Sequence, residues 1–169
     1  MSEDEPQMSM EPSAIEFSDV TKQPVRDFVY RYYTTLAGVP HDAWRFFTVD
    51  AQYTHVDGCG PEEARDPGPA VGQYQIHVNI THQRFTECQF LIRSINEQPV
   101  TNGRVHVLVT GDTSRSKQPA DSFVQSFMLK YLYDINQYAV TNSILKVYTS
   151  SPPLPRSPSP LSQPQYSSG

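Results

Sequence analysis

A regular hydrophobic pattern first appears near the N-terminal end of the chain. Pro24 suits a first helical turn and Gly38 suits a helix C-terminus. Between them, apolar and aromatic residues recur at the spacing of one helical face: Val25, Phe28, Val29, Tyr32, Tyr33 and Leu36. The pattern predicts an amphipathic helix over residues 23–37.

The next stretch is predicted to contain shorter elements separated by turns. In chain order these are a short helix from Pro40 with Trp44, Phe46 and Phe47, a strand around residues 52–56, a Gly- and Pro-rich loop over 58–69 and a helix near 70–83 with Val71, Ile76 and Ile80.

From residue 86 onwards the hydrophobic period falls to two, which is typical of strands. Four alternating runs follow, and Asn102-Gly103 supplies a hairpin turn between the first two. Their alternating sets are Cys88-Phe90-Ile92, Val105-Val107-Val109, Phe123-Gln125-Phe127-Leu129-Tyr131 and Tyr138-Val140-Asn142-Ile144. Helices followed by long strands predict an α+β domain with helices on one face of an antiparallel sheet, and strands of this length must curve strongly into a cone.

The charges are distributed unevenly along the chain. Residues 1–20 hold six acidic residues and no basic one, residues 150–169 hold six prolines and seven serines, and residues 21–149 are neutral with twelve acids and twelve bases. We therefore predict an acidic disordered arm over 1–20, a folded domain over 21–149 and a Pro/Ser-rich disordered linker over 150–169. A neutral domain lacks the basic footprint of nucleic-acid binding, so we expect RNA to be bound only by regions outside this chain.

Two cysteines cannot form a disulfide framework, and Cys59 and Cys88 indicate a reduced compartment, cytosolic or nuclear. No run of about 18 apolar residues exists in the sequence, so we expect no membrane span. We interpret Cys88 as a small buried hydrophobe, because it alternates with Phe90 on a predicted strand.

Several segments together resemble a known family. VRDFVYRYYTTL, WRFF, the Gly72-x-x-x-Ile76-His77 helix, FTECQFLIRSI, FVQSFML and YAVTNSIL are similar to the nuclear transport factor 2-like domain, and most similar to the Rasputin-type stress-granule scaffolds, also called Ras-GAP SH3-domain-binding proteins. The resemblance covers residues 24–148. It implies a cone-shaped homodimer joined through its sheets, in a cytoplasmic protein of stress granules.

The resemblance also implies a function and a site. In such relatives the domain is non-enzymatic and binds short Phe-Gly peptides, notably of the Phe-Gly-Asp-Phe type, in a hydrophobic groove. The groove positions fall here on Pro24, Phe28, Phe46 and Tyr138. The family more often has a small aliphatic residue at position 24 and Phe at position 138, and the loop from Lys130 to Gln137 is shorter here.

Other functions remain open at this stage. A carrier that binds Phe-Gly nucleoporins and a small GTPase has the same fold, and so do isomerases and dehydratases that place an acid or base in an apolar pocket. Against an enzyme, the strand residues that would line the cone are Val, Phe, Leu and Ile, and Asp112 and Asp134 are interpreted as turn residues.

We expect neither a metal nor a cofactor. His77 and His82 are five residues apart, whereas two ligands on one helical face need a spacing of three or four. His55-x-Asp57-x-Cys59 alternates at a strand end, but the sequence offers no fourth ligand.

Overall fold

Helices and strands follow one another in the order that the hydrophobic pattern predicts. The structure is a computed structural model that describes residues 23–58 and 67–148. Its elements are α1 (Gln23–Gly38), a 3-10 helix (Pro40–Phe46), β1 (Phe47–Gly58), β2 (Ala70–Val71), α2 (Gln73–His82), a second 3-10 helix (Phe85–Glu87), β3 (Cys88–Val100), β4 (Arg104–Arg115), β5 (Asp121–Leu132) and β6 (Gln137–Tyr148). The predicted arm, the linker and Cys59 lie outside the described residues.

The strands form one open sheet in the order β2-β1-β6-β5-β4-β3. β3 to β6 make the predicted antiparallel meander, and β2 pairs antiparallel with β1. β1 and β6 are parallel, however, so the prediction of a wholly antiparallel sheet is wrong at this pair. Alternation of side chains shows which residues share a face but carries no information on strand direction, and the long connection from β1 to β6, through α2 and β3 to β5, allows parallel pairing.

Register shifts bend the long strands around the helices. They occur between Ile92 and Ser94, between Met128 and Leu129, and in β1 before Gln52. A β-bulge leaves an extra residue on one strand and increases its bend and twist. The concave face that results holds α1, α2 and the first 3-10 helix, which gives the predicted α+β cone.

Three local predictions differ from the structure. β1 is longer than residues 52–56 and begins at Phe47, which therefore belongs to a strand and not to the short helix. α2 begins at Gln73 because Ala70 and Val71 form the short strand β2. Asp112 is a residue of β4 and not of a turn, and its carboxylate accepts a 2.8 Å hydrogen bond from Arg93 Nε on the neighbouring strand.

The core between α1 and the sheet is aromatic but contains one buried amide. Gln125 is fully buried on β5 and accepts a 2.7 Å hydrogen bond from the Tyr33 hydroxyl. Its amide nitrogen donates to Ser143 Oγ at 3.0 Å and to the Tyr32 hydroxyl at 3.3 Å. The interior is therefore less uniformly apolar than the sequence predicts, and this network fixes α1 against β5 and β6.

Candidate functional site

A groove of about 590 Å³ lies between the first turns of α1 and the turn that joins β5 to β6. Its walls come from both elements: Pro24, Asp27, Phe28, Tyr30 and Arg31 from α1, and Tyr131, Asn136, Gln137 and Tyr138 from the two strands and their turn. Three of the four predicted groove residues therefore line it. The fourth, Phe46, lies directly behind, with its ring edge-on to that of Phe28 at 5.9 Å between centroids.

Phe28 combines two roles that the sequence presents as alternatives. It is only 5% exposed and packs edge-on against Phe127, as expected of a core residue. Its ring also contributes to the groove wall. Phe46 is partly buried at the edge of the same aromatic cluster, and Pro24 is exposed on the first turn of α1.

Charges stand at the rim of the groove on one side of α1. The Arg31 guanidinium lies 5.8 Å from the centroid of the Phe46 ring, within cation–π range. One turn earlier, Asp27 accepts a 2.7 Å hydrogen bond from Gln23 Nε2. The sequence reasoning missed Arg31, although its position three residues after Phe28 places it on the same side of the helix.

The opposite wall is a cluster of tyrosines. The Tyr131 ring lies 5.1 Å from Tyr138 and 5.0 Å from Tyr133, edge-on in both cases. Partial burial raises the pKa of the Tyr138 hydroxyl above its ordinary value, so the groove contains a neutral phenol at physiological pH. The sequence analysis did not identify Tyr131 as a groove residue, because the contact between Tyr131 and Tyr138 depends on the pairing register of β5 and β6.

A second cavity, which we call the interior recess, lies at the other end of the cone and has a volume of about 300 Å³. His55, Phe85, Cys88, Phe90 and Arg115 line it together with further residues of the sheet. His55 Nε2 donates a 2.8 Å hydrogen bond to Asp57 Oδ1, since a carboxylate can only accept. This bond lowers the pKa of Asp57.

Some of the other polar groups of the interior recess are engaged by the protein itself, whereas the buried His55 Nδ1 and Thr113 Oγ1 have no hydrogen-bond partner among the described residues. Arg115 donates to the Gln83 carbonyl oxygen at 2.9 Å, and its guanidinium lies 3.6 Å from Glu87. Cys88 is buried, as predicted, and burial raises the pKa of its thiol. Among the described residues, no group of three or more His, Cys, Asp or Glu side chains could hold a metal ion.

A family model for the nuclear transport factor 2 (NTF2) domain matches residues 25–147. The chain belongs to this family. The match includes Phe28, Phe46 and Tyr138, while Pro24 stands one residue before it.

A comparison with known proteins by sequence finds a G3BP-like relative of the NTF2 domain. The chain is 29% identical over 119 residues to a G3BP-like protein of Schizosaccharomyces pombe, which agrees with the Rasputin-type resemblance. The aligned part is 70% of this chain but 26% of that relative, so the chain spans only about a quarter of the relative's length.

Comparison with solved structures confirms that the chain has the NTF2 fold. Yeast Bre5, a Ubp3-associated protein, has a TM-score of 0.62 at 18% identity and covers 76% of this chain and 98% of its own. Ntf2 of Cryptosporidium parvum has a TM-score of 0.64 at 21% identity, and the match covers 79% of this chain and 98% of Ntf2.

No helix of the described residues has the length and apolar character needed to cross a bilayer.

Proposed function

We propose that this NTF2 domain is a non-enzymatic dimerisation and protein-interaction module that binds short Phe-Gly-type peptides in its groove. The observation that carries the proposal is the position of Pro24, Phe28 and Tyr138 on the walls of one groove, with Phe46 directly behind them. A phenyl ring is a rigid anchor that fills an aromatic slot at low entropic cost. A following glycine lets the peptide backbone pass close to the α1 surface.

Of the two charged residues that line the groove, Arg31 favours an acidic residue near that anchor, whereas Asp27 favours a basic or polar one near the first turn of α1. Arg31 is exposed and its guanidinium is held over the Phe46 ring, so an aspartate next to the bound phenylalanine would meet a cation at short range. This arrangement supports peptides of the Phe-Gly-Asp-Phe type as ligands.

Replacing Phe46 by alanine tests the groove. Phe46 supports the Phe28 ring and lies under the Arg31 guanidinium, so its loss removes the packing behind the aromatic slot, at a cost of about 2 kcal/mol or more, roughly thirtyfold in affinity. We expect Phe46→Ala to weaken binding of a Phe-Gly-Asp-Phe peptide at least that much by calorimetry, with the circular dichroism spectrum unchanged. Tyr74→Ala is the matched control, because Tyr74 is an exposed aromatic residue of α2 that does not line the groove. Unchanged affinity in a folded Phe46→Ala protein would place the peptide elsewhere.

The convex face of the sheet supports the homodimer. Leu108, Ser126 and Ile144 are paired across β4, β5 and β6, and both Leu108 (38% exposed) and Ile144 (54% exposed) face outwards. An exposed apolar row on a sheet is typical of an interface, and an isologous contact between two such faces gives a closed dimer.

The oligomeric state tests this face. We expect twice the monomer mass by light scattering at micromolar concentration and a monomer for Ile144→Glu, because the substitution buries a charge at the interface. Val49→Glu is the control, since Val49 is an exposed valine of β1 outside the row. A monomeric parent protein would contradict the proposal.

The relatives support the wider setting of the proposal. The G3BP-like relative agrees with a scaffold of RNA granules in the cytoplasm, with RNA bound outside this chain. Bre5 has been solved in a complex with the deubiquitinase Ubp3, so an NTF2 domain of this fold binds a protein partner. Capture from a cell extract with the parent and Phe46→Ala proteins distinguishes the roles: granule proteins lost with Phe46→Ala support a scaffold, whereas nucleoporins and a small GTPase support a carrier.

A further inference from the structure

The groove lies where the described chain begins. Pro24, its first wall residue, is one residue after Gln23, and the Gln23 side chain is tied to Asp27 within the first turn of α1. The acidic arm, residues 1–20, therefore joins the domain at the rim of the groove through only Thr21 and Lys22.

The acidic arm contains one aromatic residue, Phe17. Glu16 precedes it and Asp19 follows two residues later, so the ring is flanked by negative charge. The groove offers aromatic walls for the ring and the Arg31 guanidinium for the carboxylates, while the acidic Asp27, also in the lining, is hydrogen-bonded to Gln23 one turn before Arg31. The arm thus carries the same combination of anchor and charge that the groove favours in a peptide.

We propose that Phe17 of the chain's own acidic arm occupies the groove and competes with peptides from other proteins. The proposal rests on the proposed function of the groove. It makes the arm a tethered ligand with which every partner peptide must compete for the groove.

The length of the connection suits this occupant. Six residues lead from Phe17 to Gln23 and span up to about 20 Å when extended. Phe28 is five residues into α1, roughly 7.5 Å along the helix axis. The arm can therefore reverse direction before Gln23 and still bring its ring to the slot between Phe28 and Tyr138.

The C-terminal segment is a less suitable occupant. β6 begins at Gln137, beside the groove, and ends at Tyr148, which is about 37 Å away along an extended strand. The one aromatic residue beyond it, Tyr166, would have to return over this distance. Proximity and negative charge both favour the arm.

Tethering makes even weak binding effective. A short flexible connection holds its ligand at an effective concentration of about 1 mM or more, so a segment with a millimolar dissociation constant occupies the groove about half of the time or more. Peptides from solution then bind with an apparent affinity reduced by about two- to tenfold.

Backbone amide shifts in NMR spectra of the full chain test the contact without an added ligand. We expect Phe17→Ala to shift the amides of residues 27–31 and 137–138. Met10→Ala, an apolar change seven residues further from the groove, should leave them in place. If Phe17→Ala shifts none of these amides, the proposal is overturned, and shifts produced by Tyr166→Ala alone would assign the groove to the C-terminal segment.

Peptide affinity separates this proposal from the proposed function. We expect Phe17→Ala to bind a Phe-Gly-Asp-Phe peptide about two- to tenfold more tightly than the parent chain. Equal affinity would overturn the competition by the arm and leave the groove function intact. If neither chain binds the peptide although Phe17→Ala shifts the groove amides, the Phe-Gly preference fails while the arm contact stands.

Discussion

The groove and the interior recess are both concave, yet their side chains are used in different ways. The groove of about 590 Å³ has aromatic walls, Phe28 and Tyr138, and opens to solvent between α1 and the β5–β6 turn. The interior recess of about 300 Å³ is also lined by aromatic residues, but its charged groups pair with the protein itself. His55 bonds to Asp57, and Arg115 bonds to the backbone after α2.

This difference distinguishes a groove that is suited to recognising a peptide from a recess whose charged groups mainly hold the fold together. Acid–base catalysis needs a titratable group aimed at the position of a substrate, with its pKa set by the site. In the interior recess the contacts of His55 and Arg115 instead connect β1 and β4 to neighbouring residues of the fold. In the groove, rings and one guanidinium define a surface that a peptide can complete. This contrast supports the proposed binding of peptides at the groove.

Removing an aromatic ring from each site should give opposite results. Phe90 is 3% exposed in the interior recess and contacts the rings of Tyr33 and Phe123, so Phe90→Ala leaves a cavity. We expect the free energy of unfolding to fall by about 3–5 kcal/mol in chemical denaturation, while the folded protein keeps the peptide affinity of the parent.

The contrast with Phe46→Ala makes this prediction specific. Phe90→Leu, which removes less volume, provides the same comparison if the alanine variant fails to fold. Loss of peptide affinity in folded Phe90→Leu, at a site distant from Pro24 and Tyr138, would show that the two cavities are coupled and would break the distinction between them.

The helices and strands follow from hydrophobic spacing, because burial of one face dictates the period. The α1 stripe from Val25 to Leu36 is buried as predicted, and Tyr30 lies on the exposed side, 48% accessible. The spacing placed Gln125 on the inward face between two phenylalanines, but it could not show how a buried amide is stabilised there. Only the hydroxyls of Tyr33 and Tyr32 and Ser143, brought to it by long-range packing, make an amide stable there.

The groove residues were predicted from the resemblance to a known family, and not from the spacing of hydrophobic residues. Phe28 and Phe46 read as core residues from their pattern, and the structure shows that the Phe28 ring serves both the core and the wall. Arg31 and Tyr131 were missed because their roles depend on a cation–π contact and on a cross-strand pair. Each of these contacts joins residues that only the folded chain brings together, so no local sequence pattern predicts it.

Tyr138→Phe sharpens the comparison at the level of one hydroxyl. The neutral phenol of Tyr138 supplies a polar group to an otherwise apolar wall, where it can donate to a peptide carbonyl. Its loss should weaken binding of a Phe-Gly-Asp-Phe peptide by about 0.5–1.5 kcal/mol, roughly two- to tenfold, with stability unchanged. Calorimetry measures the change, and Tyr133→Phe, in the same aromatic cluster, is the control. Tighter binding by Tyr138→Phe would show that the bound peptide removes water from the Tyr138 hydroxyl without accepting a hydrogen bond from it.

The smallest expected effect is in the interior recess, at the His55–Asp57 hydrogen bond. This bond lowers the pKa of Asp57 in the folded protein. The ionised carboxylate therefore stabilises the fold at every pH above the pKa of aspartate in the unfolded chain, about 3.9. This contribution is lost as the pH falls through the lower pKa of Asp57 in the folded protein. Asp57→Asn should therefore be slightly less stable than the parent at pH 7, and the difference should vanish in strong acid. Because the Asp57 side chain is 62% exposed, solvent screens the interaction and the shift in thermal midpoint at pH 7 should be small. Thermal melts between pH 7 and pH 2 measure it, with Asp50→Asn on the same strand as the control. If Asp57→Asn instead changes peptide affinity, the interior recess takes part in recognition and the separation between the two sites is wrong.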